Sequence, residues 1–119
     1  MKWFHAHIYY QNDQVDEIKK LEEAGRASPL KVWKLFDQRV GPHDLPMLEL
    51  HFNGESELAA VEWLKNHHGN LSVLIHEDTG DDPKDHANAR WLGKELPIHY
   101  EFFRKVSENP ELAVHQKKT

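Results

Sequence analysis

Apolar and polar positions alternate from the start of the chain. Across Trp3 to Tyr10, Phe4, Ala6, Ile8 and Tyr10 share one face of an extended segment, and Trp3, His5, His7 and Tyr9 share the other. The run is aromatic and β-branched, which predicts a strand. Asn12 and Asp13 are placed to cap a helix through about Ala24, with Val15, Ile18 and Leu21 on one side and Gly25 to stop it. Lys31 to Val40 reads as a second strand, Gly41-Pro42 as a turn, and Pro46 to Phe52 as a third strand ended by Asn53-Gly54. Ser56 is the expected cap of a helix carrying Leu58, Val61 and Leu64 inward, with Gly69 at its end. Leu71 to His76 reads as a fourth strand. A Gly-Asp-Asp loop then leads to a short helix with Pro83 in its first turn, and Pro97 to Phe103 can form a further strand. The order strand, helix, strand, strand, helix, strand predicts an α+β domain of ferredoxin-like βαββαβ architecture. Its antiparallel sheet carries both helices on one face, followed by a short C-terminal helix.

The 119 residues fit one domain, expected over 1–106, with 107–119 as a loose tail. There is no cysteine, which excludes disulfides, thiolate metal sites and cysteine nucleophiles. No segment approaches the roughly 20 apolar residues that cross a bilayer, and the N-terminus lacks a signal peptide's apolar stretch, so the chain reads as soluble and cytoplasmic. Acidic residues outnumber basic ones, 20 to 15, with no basic stripe, so no nucleic-acid partner is expected. The outlying number is histidine, ten in all, and histidine is the commonest protein metal ligand.

Strand alternation places those histidines. His5 and His7 share a face about two residues of rise apart, roughly 6.6 Å. In the third strand Leu48, Leu50 and Phe52 match the helix-packed face, which leaves Met47, Glu49 and His51 on the other. The ferredoxin-like order sets the first strand between the third and fourth, antiparallel to both. His5, His51 and His76 then meet, with His7 and Glu49 one step along. Alone, His-x-His in a strand is more often plain polar alternation, and His67-His68 at a helix end more simply answers the helix dipole. The metal reading rests on several imidazoles converging. Trp3, Tyr9 and Met47 would leave an apolar patch on the same face, so a second copy of the sheet, or the C-terminal strand, is expected to cover it; a homodimer is the reading taken.

His5-Ala6-His7-Ile8-Tyr9-Tyr10, Gly41-Pro42-His43, Leu71-Ser72-Val73-Leu74-Ile75-His76, Thr79-Gly80-Asp81-Asp82, Asp85-His86 and Trp91-Leu92-Gly93 together resemble the DOPA 4,5-dioxygenase family, in order and spacing, from about Phe4 to Phe103. The resemblance implies a compact α+β fold and extradiol cleavage of a catechol by O2 at a non-haem iron. It carries the family's recurrent histidines onto His5, His7, His43, His76 and His86. Asp44 and Glu77 stand where family members commonly have proline, a departure that bears on substrate choice.

Such chemistry needs Fe(II) with open positions, usually on two histidines and a carboxylate, and zinc or nickel are conceivable substitutes. On this resemblance His5, His7 and His76 are the ligand candidates, with Glu49 the preferred carboxylate on facing grounds, Glu77 the second choice and an all-histidine set the alternative. His43 and His86 are candidates for acid and base. The hairpin position of His43 lies towards the wrong end of the first strand unless its loop folds over the face. Trp3, Tyr9, His51 and Arg90 are candidate substrate contacts, with Arg90 suited to a carboxylate. Asp81 is a candidate to orient a ligand, and Asp82 is placed to cap the helix at Pro83. The competing functions are a small-ligand or metal-binding regulatory domain and a zinc-dependent hydrolase.

Overall fold

In the computed structural model, which describes residues 2–39, 43–99 and 101–102, the alternation of the first strand organises the chain. The elements are β1 (Trp3–Tyr9), α1 (Val15–Gly25), β2 (Lys31–Leu35), β3 (Met47–Asn53), α2 (Glu57–His67), β4 (Val73–Glu77), α3 (Asp82–Ala87) and β5 (Arg90–Leu92). The sheet runs β2-β3-β1-β4-β5 with every neighbouring pair antiparallel. Its first four strands have the ferredoxin-like order, and β5 is added beside β4.

One face holds the main core. Phe4, Ala6, Ile8, Leu48, Leu50, Phe52, Val73 and Ile75 pack against Ile18 and Leu21 of α1 and Ala60 and Leu64 of α2. Phe4 and Phe52, directly opposite in the ladder, stack at 5.1 Å between ring centroids. Each large side chain so buried contributes about 1.5–3 kcal/mol of transfer free energy.

Several local expectations are corrected. A 3₁₀ turn, Asn12–Gln14, precedes α1, and the Oε1 of Gln14 accepts from the Gln11 N–H at 2.9 Å, so Asn12 and Asp13 are inside the turn and do not cap the helix. Gly25 is the last residue of α1 and has no left-handed φ; its role is close approach, since a Cβ there would stand 3.0 Å from Leu50 Cδ2 and from Val32 Cγ2. A 3₁₀ turn, Gly54–Ser56, leads into α2 and is capped by Asn53, whose side chain accepts from the Ser56 N–H at 3.0 Å, while the Ser56 side chain makes no capping bond. Leu58 points outward at 90% exposure, because Ala60 and Leu64 form the inner stripe. Gly69 does end that helix region at φ +57. The second strand stops at Leu35, with a register shift between Val32 and Lys34; Val40, Gly41 and Pro42 lie outside the described residues. The additional strand is β5. In the segment expected to form it, Ile98 makes an isolated bridge to His43, while Tyr100, Phe103 and the 107–119 tail lie outside the described residues.

The histidine-bearing face is not open. Tyr9, Phe36, Met47 and Leu74 form a second apolar cluster covered by Leu45, Ala89, Trp91, Leu96 and Ile98 of the same chain. Tyr9 and Met47 are therefore buried, and of the patch that motivated a dimer only Trp3 stays exposed, at 43%. No described helix is long and apolar enough to cross a membrane.

Leu50 touches only the helix-packed side, so Leu50→Ala is expected to cost about 2–5 kcal/mol, read as a lower urea midpoint at unchanged slope. A shift below about 0.5 kcal/mol would mean that the β3–α1 packing is not the core.

Candidate metal centre

Two ladders bring the first imidazoles together. His5 is paired with His51 on β3 and with His76 on β4, and His7 is paired with Glu49 on β3. Because side chains at paired positions project to the same face, all five stand together, as strand alternation and topology predict. His5 stacks on His51 at 4.3 Å between centroids and lies 5.0 Å from His76. His7 and His76 stack at 5.1 Å, and their Nε2 atoms are 3.1 Å apart.

Two further histidines arrive from outside the sheet. The loop before β3 folds over the face, so His43 stacks on His7 at 5.0 Å and shares a 2.7 Å hydrogen bond between its Nδ1 and the Tyr9 hydroxyl. The Ile98 bridge holds it there. His86, from α3, lies 4.5 Å from His76 and 5.3 Å from His43. His7, His43, His86 and His76 thus close a four-ring circuit, all four buried.

Hydrogen bonds fix two tautomers. The Nδ1 of His76 lies 2.9 Å from the Glu77 carbonyl, and that of His86 lies 2.8 Å from the Asp82 carbonyl. A carbonyl can only accept, so Nδ1 carries the proton in both and Nε2 keeps its lone pair. Burial favours the neutral ring. It holds His7 well below the usual histidine range, reinforced by His43, His76, His86 and His5. His76 is lowered to about 4, first by burial and then by His86, against the opposing pull of the Glu77 carbonyl, Asp85 and Glu49. His86 is lowered by burial, opposed by the Asp82 carbonyl and by Asp85 and Glu49. Tyr9 is raised by burial and by Glu49, so its hydroxyl keeps its proton. Neutral imidazoles at neutral pH are what a metal ion needs.

Among the described residues, three sets have ligand atoms within 4.8 Å of one another and could hold a metal: His5, His7 and His76; His7, His43 and His86; and His5, Glu49 and His51. Glu49 is fully buried. Its Oε2 is 2.6 Å from His51 Nε2, and its oxygens stand 3.9 Å and 4.0 Å from the Nδ1 atoms of His7 and His5. His51 also stacks under Trp33 at 5.5 Å.

Other expected residues fall elsewhere. Arg90 pairs with Glu57 at 3.2 Å and lines one cavity with Lys2, Phe4, Ile75 and His76. Trp3 sits at the exposed start of β1. Asp81, not Asp82, caps α3, its Oδ1 accepting from the Lys84 N–H at 3.2 Å. Glu77, the second carboxylate choice, lies on β4 one position past His76, so alternation turns its side chain to the other face. Two acidic residues had no role in the sequence reading. Asp78 Oδ2 is 3.2 Å from His5 Nε2. Asp85 is buried and takes the Thr79 N–H at 2.8 Å and the Thr79 hydroxyl at 2.5 Å. The available signal for Asp85 was its place beside His86 in a helix with no apolar inner position.

A model of the Dopa 4,5-dioxygenase family matches residues 4–102. The chain is 28% identical to an uncharacterized 21.2 kDa protein of Botryotinia fuckeliana, over 88% of this chain and 65% of that one. It is 24% identical to a DOPA 4,5-dioxygenase of Amanita muscaria, over 83% of this chain and 48% of that one. It therefore spans less than two thirds of these curated relatives. A crystal structure from Nostoc punctiforme, assigned as a dioxygenase, superposes with a TM-score of 0.82 at 31% identity, covering 89% of this chain and 94% of that one.

The depressed pKa values set a sign for stability. An unfolded His76 takes up a proton near pH 6.5, whereas the folded one resists until about 4. Between those values the unfolded state binds more protons, so stability is full above about pH 6.5 and falls as pH drops towards 4. His76 alone is worth about 3 kcal/mol over that window, and His7 and His86 act in the same direction. Urea midpoints of metal-free protein should fall steeply from about pH 7 to about pH 4.5, and less steeply for His76→Gln. A flat profile would show that these rings are not held neutral.

Proposed function

The chain belongs to the Dopa 4,5-dioxygenase family, and on that premise we propose that it is an extradiol dioxygenase that inserts O2 into a catechol of DOPA or caffeate type, using non-haem Fe(II) held by His5, His7 and His76. One observation carries the reading: buried, neutral imidazoles converge on a single sheet face.

The donor set fits a ferrous ion. His7 and His76 present Nε2 atoms 3.1 Å apart, a separation two nitrogens on one ion would share, and imidazole suits iron as well as zinc. Fe(II), when bound, supplies the electronic path that lets a catecholate react with ground-state O2. Glu49 lies on the Nδ1 side of His7, whereas His7 meets His76 through Nε2. The carboxylate therefore acts on the ligand rings, balancing positive charge and orienting them while His51 holds it in place.

The remaining imidazoles handle protons. His86, with Nδ1–H fixed on the Asp82 carbonyl, offers Nε2 as the base for a catechol hydroxyl. His43, joined to the Tyr9 hydroxyl, is placed to return a proton to the departing oxygen, with tyrosine able to donate or accept as His43 changes state. Met47, Leu74, Tyr9 and Trp91 wall the face and exclude water, which strengthens each of these interactions.

Anaerobically purified protein loaded with Fe(II) and given L-DOPA or caffeic acid should consume O2 in proportion to catechol while a yellow product forms. His7→Ala, which removes a member of two of the three ligand sets, should abolish both signals. Bound iron with no oxygen uptake across a panel of catechols would overturn the proposal. Hydrolysis dependent on zinc, without oxygen uptake, would replace it with metal-activated water chemistry.

A further inference from the structure

The helix that delivers His86 has no hydrophobic anchor. α3 is six residues long, far short of the roughly 12–15 needed for an isolated helix to be even marginally stable in water. Its only buried side chains are Asp85 and His86, both polar. Amphipathic packing, which stabilises most protein helices, is therefore missing, and hydrogen bonds together with the His86 ring contacts to His76 and His43 hold this one. Several bonds are local, among them Lys84 N–H to the Asp81 side chain, Asp85 N–H to the Asp81 carbonyl at 2.8 Å, and His86 Nδ1 to the Asp82 carbonyl. These shape the turn and do not locate it against the sheet. The Thr79–Asp85 pair does, because Thr79 lies just beyond the end of β4, the strand that carries His76. Both Asp85 oxygens are committed to Thr79, one to its N–H and one to its hydroxyl.

We infer that Asp85 is a positioning residue: its two-point clamp on Thr79 sets the distance and tilt of His86 relative to His76, and so places the catalytic base without touching metal or substrate. The role given to His86 rests on the function proposed above; the clamp itself does not. The pair has a geometric signature. Asparagine at position 85 keeps both contacts, with its carbonyl towards the Thr79 N–H and its amide towards the hydroxyl oxygen, which can rotate to accept. Alanine keeps neither, and Thr79→Val removes only the hydroxyl arm.

The test uses Asp85→Ala, Asp85→Asn and Thr79→Val in the full chain. Untethered, a helix this short opens and its His86–Asp82 bond opens with it, so imidazole 15N NMR of the metal-free protein should show the His86 Nδ1–H tautomer retained in the native and Asn forms and averaged in the Ala form. Co(II) binding and its visible spectrum, read at His5, His7 and His76, should be the same in all four proteins. With Fe(II) and catechol, kcat should fall about 10- to 100-fold in Asp85→Ala at little change in KM, as expected when a catalytic group shifts by about 1 Å. Thr79→Val should be intermediate and Asp85→Asn close to native. An unchanged His86 tautomer and native kcat in Asp85→Ala would overturn the clamp. So would loss of Co(II) in Asp85→Ala and Thr79→Val alike, which would make the pair part of the metal scaffold. Failure of Asp85→Asn to restore the tautomer would assign the effect to charge, and would also overturn it. If no variant and no native protein consumes O2 while the NMR pattern holds, the dioxygenase reading fails and the clamp stands.

Discussion

Everything at the centre depends on the register of β1 against its two neighbours. A strand has a side-chain period of two, so a slip by one residue would send His5 and His7 under the helices and bring Phe4, Ala6 and Ile8 to the other face. The main core forbids that slip: Ala6 and Ile8 are fully buried against side chains that α1 and α2 also contact, and Phe4 stacks on Phe52. Hydrophobic packing on one side of the sheet thus fixes a polar constellation on the other. The same ladder that pairs Ala6 with Leu50 and Ile75 sets His5 between His51 and His76.

Gathering that many polar rings in a buried place would ordinarily be costly, since burying a charge is far worse than burying a neutral group. The structure meets the cost in two ways. His7, His76 and His86 are neutral at physiological pH, because burial suppresses the protonated forms, with repulsion from neighbouring histidines adding at His7 and His76. Glu49, fully buried, has His51 at hydrogen-bond distance and two more imidazoles within 4.0 Å. With Nδ1 bonded to a carbonyl in His76 and in His86, each ring keeps its Nε2 lone pair, and the buried groups so arranged could hold a metal ion.

How much of this was legible follows from the range of each interaction. Alternation in Trp3–Tyr10 and Met47–Phe52 is a local pattern, and with the topology it placed His5, His7, Glu49, His51 and His76 correctly on one face. Helix ends were legible to within a few residues, but the capping groups were not, because Gln14 and Asn53 act through side-chain rotamers that neighbouring Asp13 and Ser56 could equally have supplied. Leu58 looked like an inward residue because Leu58, Val61 and Leu64 fit a helical stripe, but α2 is rotated so that Ala60 and Leu64 are buried and Leu58 faces outward. The resemblance marked His43 as a proton-transfer candidate, but its hairpin position fitted that role only if the loop folded over the face. Its return over the sheet depends on a bridge to Ile98, more than fifty residues away, with no local signal.

The two faces of the sheet therefore carry different kinds of information. The helix-packed face is written in apolar periodicity and tolerates replacement by other apolar residues of similar volume. The histidine face is completed by segments with little apolar anchoring: a loop bearing His43, a polar helix bearing His86, and a short cover from Leu96 to Ile98. Three ligand candidates sit on strands that the core makes rigid, and the two proton-transfer candidates sit on the added segments. That division has a physical consequence. On the function proposed above, metal binding would be tied to the global fold, and the geometry of proton transfer to a few hydrogen bonds that can open without unfolding the sheet. On that reading, substitutions in the loops would retune substrate and rate while the centre keeps its ion, and Asp44, which follows His43, lies in that adjustable part.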